Sequence, residues 1–390
     1  MGIKVTKAER LAKLPPYLFA AIDRMKEEAK REGKDIINLG VGDPDRPTPP
    51  HIIEELARTA VDPANHHYPS YTGMMDFRKA IAGYYKKTRN IGLDPAAEVL
   101  TLIGSKEGVG HIPLAFVDHG DVVLVPDPGY PVYSSGTVLA GGRPYSMPLL
   151  RENGFLPDLD AIPSETASEA KLMFINYPNN PTAATCESGF FARVVDFAKE
   201  YNIIVVHDAA YADVTYDGYR APSFLETPGA KDVGIELYSL SKTYNMTGWR
   251  IAAALGNADV IDGLGKVKTN LDSGAFQPIQ YAAMKALQAS QDCVAENNAF
   301  YRERRNVLVE GLNKIGWEVE KPKASFYVWI AIPGGTPSTD ATARLIREAA
   351  VVTTPGVGFG RYGEGYVRMT LTTSKERLAE AVDRIAKLSW

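Results

Sequence analysis

Ile235-Glu236-Leu237-Tyr238-Ser239-Leu240-Ser241-Lys242-Thr243-Tyr244-Asn245-Met246-Thr247-Gly248-Trp249-Arg250 carries an apolar strand-like run into small hydroxyl residues around one lysine, with a lone arginine beyond. Lysine is the usual imine-forming nucleophile. Hydroxyls bind a phosphate as neutral donors, and an arginine matches its charge with a forked contact. The stretch therefore suits a lysine that forms a Schiff base with a phosphorylated aldehyde. The same letters also suit a solvated loop with a surface lysine, and Ser-x-x-Lys recurs in unrelated hydrolases. The rest of the chain has to decide.

Working outward, short apolar runs at 99–103, 122–125, 172–175, 203–206, 235–237 and 251–255 alternate with helical patterns such as 108–116 and 189–201. Their hydrophobicity is continuous rather than alternating. That predicts an α/β fold with a mostly parallel sheet covered by helices on both faces. Such sheets bind ligands beyond the carboxyl ends of their strands. The flanks read differently. A polar helical stretch (20–32) and a short run (36–39) precede the sheet. After about Ser290 come a charged helical pattern (294–315), a strand-like 325–330, a helix near 342–350, a run at 366–371 and a final helix. These predict a smaller α+β domain built from both chain ends. The expected division is 1–45 as arm and part of the small domain, 46–288 as the large domain, and 289–390 as the small C-terminal domain. The proline-rich 43–50 is the expected crossing point.

The chain has 390 residues, enough for two domains, with 45% apolar and 23% charged residues and a formal net charge of −4. That balance argues against nucleic acid or an anionic membrane as the main partner. No apolar run reaches the roughly 18–20 residues of a membrane span. Met1-Gly2-Ile3-Lys4-Val5-Thr6 lacks the apolar core of a signal peptide and fits the myristoylation pattern only loosely. Cys186 and Cys293 stand far apart, outside any metal-ligand spacing, as expected for reduced thiols of a cytoplasmic protein.

Four further segments suit the lysine's chemistry, and each has a plainer reading. In Val205-Val206-His207-Asp208-Ala209-Ala210-Tyr211 a carboxylate follows a strand; Asp208 can keep a pyridine nitrogen protonated and Tyr211 can reach a phenolic oxygen, or Asp208 simply caps a helix. In Asn176-Tyr177-Pro178-Asn179-Asn180-Pro181-Thr182, Asn180 can donate to the same oxygen or merely form a turn. Gly104-Ser105-Lys106-Glu107-Gly108 is a strand-to-helix junction, which binds phosphate well but is common. Arg368, within Gly365-Tyr366-Val367-Arg368-Met369, needs an anionic partner, either a substrate carboxylate or a structural acid.

Val-His-Asp-Ala-Ala-Tyr, Asn-Asn-Pro-Thr, Ser-Leu-Ser-Lys and Gly-Trp-Arg, in this order and spacing, resemble the class I/II aminotransferases of the fold-type I pyridoxal-phosphate group. The likeness covers essentially the whole chain. It implies a large domain with a mostly parallel seven-stranded sheet, Lys242 as Schiff-base lysine and proton shuttle, Asp208 on the pyridine nitrogen, and Asn180 and Tyr211 on the phenolic oxygen. It places Ser105, Lys106, Ser239, Ser241 and Arg250 around the phosphate and Arg368 on the substrate α-carboxylate. Tyr130 matches the aromatic that stacks on the ring, and Gly42 a backbone contact to the substrate carboxylate. Tyr68 matches a tyrosine reaching the neighbouring subunit's phosphate, which implies a homodimer with shared active sites.

Within that family the chain looks most like the LL-diaminopimelate aminotransferase branch, through Pro16-Tyr17-Leu18-Phe19, Asp127-Pro128-Gly129-Tyr130-Pro131 and Thr354-Pro355-Gly356-Val357-Gly358-Phe359-Gly360. This implies ping-pong transfer between LL-diaminopimelate and 2-oxoglutarate, making LL-diaminopimelate from tetrahydrodipicolinate in lysine biosynthesis. Tyr17, Lys106, Tyr130 and Asn180 would touch substrate. Two positions depart from the plant-type members of the branch: Tyr71 stands where they carry an acid, and Phe276-Gln277 replaces a Phe-Asn pair, leaving Gln277 as the candidate amide. Aspartate, alanine or aromatic transamination, and carbon–sulfur β-elimination, remain alternatives with the same lysine. A non-catalytic regulator would need a helix-turn-helix segment that this sequence lacks.

Overall fold

The structure is a computed structural model that describes residues 2–14 and 19–390. In chain order the strands are β1 (Ile37–Asn38), β2 (Val99–Leu102), β3 (Val122–Asp127), β4 (Arg143–Pro148), β5 (Ala170–Ile175), β6 (Ile204–Asp208), β7 (Gly234–Ser239), β8 (Ala252–Gly256), β9 (Tyr327–Ala331), β10 (Val351–Val352), β11 (Thr354–Pro355) and β12 (Tyr366–Thr370). A seven-stranded sheet has the order β2-β8-β7-β6-β5-β3-β4. Its pairs are parallel except where β8 runs antiparallel to β2 and β7.

Successive strand residues point to opposite faces, so a continuous apolar run feeds two cores. Val123, Val125, Phe174, Val206 and Leu237 join one, together with Val109 and Ile112 of the helix Ser105–Phe116. Leu124, Met173, Ile175 and Val205 join the other, together with Phe191 and Val194 of the helix Ser188–Tyr201. Leu237 is fully buried, and Leu237→Ala would cost about 2–5 kcal/mol through lost contacts and a cavity.

Strand β4 has no counterpart among the sequence runs. Arg143-Pro-Tyr-Ser-Met-Pro148 is half exposed and holds two prolines, which a sheet tolerates at its edge, where no ladder N–H is needed. The helix predicted at 108–116 begins earlier, at Ser105, because Gly104 takes φ +97° and releases the chain directly from strand to helix.

Another core gathers both ends of the chain. Ile37 and Leu39 pack with Leu308, Phe326, Ile330, Leu345 and Met369. Strand β1 pairs in parallel with β10, while β11, β12 and β9 form an antiparallel sheet. The stretch between them and the large sheet ends at Pro50, the first residue of the helix Pro50–Ala60, where a missing N–H costs nothing. Arg304 forks onto Asp45 at 2.7 Å through both terminal nitrogens, anchoring that crossing. No helix among the described residues is long and apolar enough to cross a membrane.

Strand direction explains where the chemistry collects. Strands β2, β3, β5, β6 and β7 all run the same way, so Gly104, Asp127, Asn176, Asp208 and Ser239 emerge at one edge of the sheet. Strand β8 runs oppositely, which brings its beginning, just after Arg250, to that same edge.

Candidate active site

A cavity of about 420 Å³ opens at this edge. Its lining includes Ser105, Lys106, Tyr130, Asn180, Asp208, Tyr211, Ser239, Ser241, Lys242 and Arg250, with Gly42 and Arg368 from the chain ends.

Lys242 sits in the short helix Leu240–Thr243 that follows β7, and its ammonium lies 3.4 Å from the Gly42 carbonyl. Burial pulls its amine down to about 8, with the guanidiniums of Arg250 and Arg368 acting in the same direction and Asp43 and Asp208 opposing. A lysine held there is neutral often enough near neutral pH to act as nucleophile and base.

Asp208 ends β6 and is buried. Its Oδ2 accepts from the Tyr133 phenol at 2.9 Å, its Oδ1 from Ala210 N–H at 3.3 Å, and its backbone carbonyl from Asn176 Nδ2 at 2.6 Å. Burial pushes the carboxyl above the usual range, while the Tyr133 hydrogen bond pulls back. A cationic pyridine N–H would supply the missing counter-charge.

At the opposite end, the Ser105 hydroxyl is buried without a protein partner, at the start of a helix with free amides. A Cβ at Gly104 would come 2.3 Å from an Arg250 guanidinium nitrogen, so only glycine lets that arginine lie against the turn. Ser239 caps the helix of Lys242 by accepting from Ser241 N–H at 3.3 Å. An orphaned hydroxyl, helix amides and two cationic side chains fit a phosphate dianion, and Asp208 fits a ring nitrogen at the far end. The donor set therefore suits pyridoxal phosphate.

Arg368, on β12, is buried and makes no ion pair among the described residues. Its nitrogens donate to Asn180 Oδ1 and Gly40 O, both at 2.8 Å, while Nε has no partner. The rings of Tyr327 and Phe359 lie 4.1 and 4.7 Å from the guanidinium carbon. The structural acid that sequence left open is not there, and a buried charge without one calls for an anionic ligand. Because Arg368 takes the Asn180 oxygen, the amide nitrogen of Asn180 is the end left for a ligand.

Tyr133 and Tyr327 are among the cavity residues that escaped the sequence reading. Tyr133, in the helix Val132–Ala140, reaches Asp208 from the element after β3. Tyr327 shares a 3.0 Å hydrogen bond with Tyr211, and a Cβ at Gly42 would lie 2.1 Å from its hydroxyl. The only available signal for Tyr327 was a tyrosine on a strand whose neighbours Phe326 and Val328 face the core.

Two candidates lie elsewhere. Tyr68 is 85% exposed and Gln277 begins the helix Gln277–Gln288, both outside the cavity lining. Tyr17 lies outside the described residues. Tyr68, Tyr71 and Phe276 are all exposed, and the loop at Gly274 abuts Ser70.

A family model, "Aminotransferase class I and II", matches residues 34–385. The LL-diaminopimelate aminotransferase of Syntrophobacter fumaroxidans is 59% identical over 98% of this chain and 99% of its own, and that of Aquifex aeolicus 54% over 98% of each. Among solved structures, substrate-bound BacF from Bacillus subtilis superposes with a TM-score of 0.94 at 40% identity, covering 99% of this chain and 98% of its own. A Thermus thermophilus aspartate aminotransferase mutant gives 0.92 at 28%, covering 98% and 100%. With its seven-stranded sheet, lysine and cofactor-shaped cavity, the chain belongs to the class I and II aminotransferases, the pyridoxal-phosphate-dependent transaminases of fold type I.

Proposed function

We propose that this enzyme is an LL-diaminopimelate:2-oxoglutarate aminotransferase, forming LL-diaminopimelate from tetrahydrodipicolinate in lysine biosynthesis. The relatives of that name, 51–59% identical over nearly the whole chain, support the substrate. The observation that carries the chemistry is the unpaired, buried Arg368 in one cavity with Lys242 and Asp208.

Pyridoxal phosphate, when bound, supplies an aldehyde to carry the amino group and an electron-withdrawing ring. In this reading Arg368 and the backbone at Gly42 hold the substrate α-carboxylate. Lys242 would take the substrate α-proton on Nζ and later give up a proton from the same atom. Asp208, oriented by Tyr133 and Asn176, would hold a proton on the ring nitrogen. Asn180 and Tyr211 would donate to the phenolic oxygen, and Tyr130 would cover the ring. Ser105, Lys106, Ser239, Ser241 and Arg250 would hold the phosphate. Tyr17, Lys106 and Gln277 would face the distal part of the substrate.

The same reading makes residues 46–288 the cofactor-binding domain and 1–45 with 289–390 the smaller one. It also makes the enzyme a cytoplasmic homodimer, with the exposed Tyr68 reaching the phosphate of a second copy. A half-reaction screen following cofactor absorbance with LL-diaminopimelate, glutamate, aspartate, alanine and aromatic amino acids tests the substrate. Conversion by aspartate but not LL-diaminopimelate overturns it, and release of pyruvate and ammonia from a β-leaving-group substrate, without an amino acceptor, would indicate β-elimination instead.

A further inference from the structure

A separate group of charges lies behind the cavity wall. Lys268, in the helix Ala258–Leu271, is fully buried, with its ammonium 2.8 Å from Glu107 Oε1 and 2.7 Å from Asp272 Oδ1. Glu107 belongs to the first turn of the helix Ser105–Phe116, and its other oxygen accepts from Ile103 N–H at 2.5 Å. Asp272 Oδ1 also accepts from Gly274 N–H at 2.8 Å. Gly274 has φ +86°, and a Cβ there would lie 2.7 Å from the Ser70 carbonyl. His111 Nδ1 stands 3.8 Å from Glu107. One buried ammonium thus ties the turn carrying Ser105 and Lys106 to the loop that abuts segment 68–71.

We propose that Lys268 is a positioning residue for the cofactor phosphate: through Glu107 it holds the Ser105–Lys106 turn in the geometry that grips the phosphate. The Glu107 carboxylate braces the strand-to-helix junction by accepting from Ile103, which leaves the amides of Ser105 and Lys106 facing the cavity. Burial pushes the Glu107 carboxyl up to about 7, with Asp272 adding to the rise and Lys268 opposing it. Removing the ammonium leaves the buried Glu107 carboxyl beside the half-buried Asp272 with no cation between them, so Glu107 has to hold a proton or turn away. Either change weakens a charge-assisted bond at the base of the phosphate turn. Glu107, His111 and Asp272 bring ligand atoms within 4.8 Å of one another, but Lys268 already supplies the cation between Glu107 and Asp272.

The inference rests on the proposed phosphate cradle of Ser105, Lys106 and Arg250. Binding of pyridoxal phosphate and of pyridoxal to full-length apoenzyme, titrated by absorbance, separates the two claims. Wild type is expected to prefer the phosphorylated form strongly. In Lys268→Met the ratio of the two affinities is expected to fall about 10-fold or more, the scale of one lost hydrogen bond to a charged group. Glu107→Gln, which keeps the shape and can still accept from Ile103, should lower the ratio less and carries the test if Lys268→Met does not fold. A wild-type ratio retained by the variants, even with weaker binding of both ligands, means a merely structural role and overturns the inference. A wild type without preference removes the cradle, and the inference with it.

Discussion

The Tyr133 hydroxyl lies 2.9 Å from Asp208 Oδ2, in a fully buried position between a stacked Phe174 (ring centroids 5.0 Å) and an edge-on Tyr130. Among the described residues it is the one side-chain donor to a carboxylate that burial drives toward neutrality. Tyr133→Phe removes that donor, so the Asp208 carboxyl rises further. The acid limb of the pH–kcat/KM profile is expected to move to higher pH, and kcat/KM at neutral pH to fall about 10–100-fold, the scale of a hydrogen bond to a charged group. An unmoved acid limb would show that Tyr133 does not support the charge on Asp208.

Lys242 carries the opposite kind of perturbation. Its folded-state value of about 8 lies below the ordinary lysine value of 10.5, so the unfolded chain binds more protons between these limits. Stability therefore rises with pH through that window, and below about 8 the charged lysine costs the apoenzyme its full burial penalty. Apo Lys242→Met should melt above wild type at pH 7, with the gap closing as pH rises toward 10.5. Turnover by Lys242→Met should drop about 10³-fold or more, since the proton shuttle is gone.

Gly42→Ala is expected to drive a methyl into the Tyr327 phenol, because the added Cβ would lie 2.1 Å from that hydroxyl. The ring has to move and the Tyr211 bond breaks, at about 1–3 kcal/mol for overpacking. Thermal melts and KM should both report it. Adding Tyr327→Phe removes the clashing oxygen and should recover part of the melting temperature; no recovery would place the strain elsewhere.

Arg368→Lys replaces a planar fork with a single ammonium and abandons either Asn180 or Gly40. KM for the amino acid should rise about 10–100-fold while pyridoxal-phosphate affinity stays near wild type. A loss of cofactor binding without a KM effect would contradict the assignment to the α-carboxylate.

The groups most visible in the sequence stand on the strand ends or a few residues beyond them. Lys242, Asp208 and Asn180 each follow an apolar run, so pattern and chemistry coincide in a few neighbouring letters. Tyr133 and Tyr327 were hidden because their meaning depends on which strand or helix lies across the cavity, a relation between distant segments. The Glu107–Lys268–Asp272 group was invisible for the same reason: its lysine sits 161 positions from its glutamate. Strand β4 was lost to its prolines and its exposed edge. Tyr68 and Tyr71 point to another limit, since a single chain leaves their surface uncovered.

The most direct test of the account is the single-turnover half-reaction of the pyridoxal-phosphate enzyme with LL-diaminopimelate, followed by cofactor absorbance. The account predicts rapid loss of the Schiff-base band with LL-diaminopimelate and with glutamate, little change with aspartate, and no conversion of LL-diaminopimelate by Lys242→Ala on the same timescale. Rapid conversion by aspartate with none by LL-diaminopimelate would contradict the substrate, and full conversion by Lys242→Ala would contradict the mechanism.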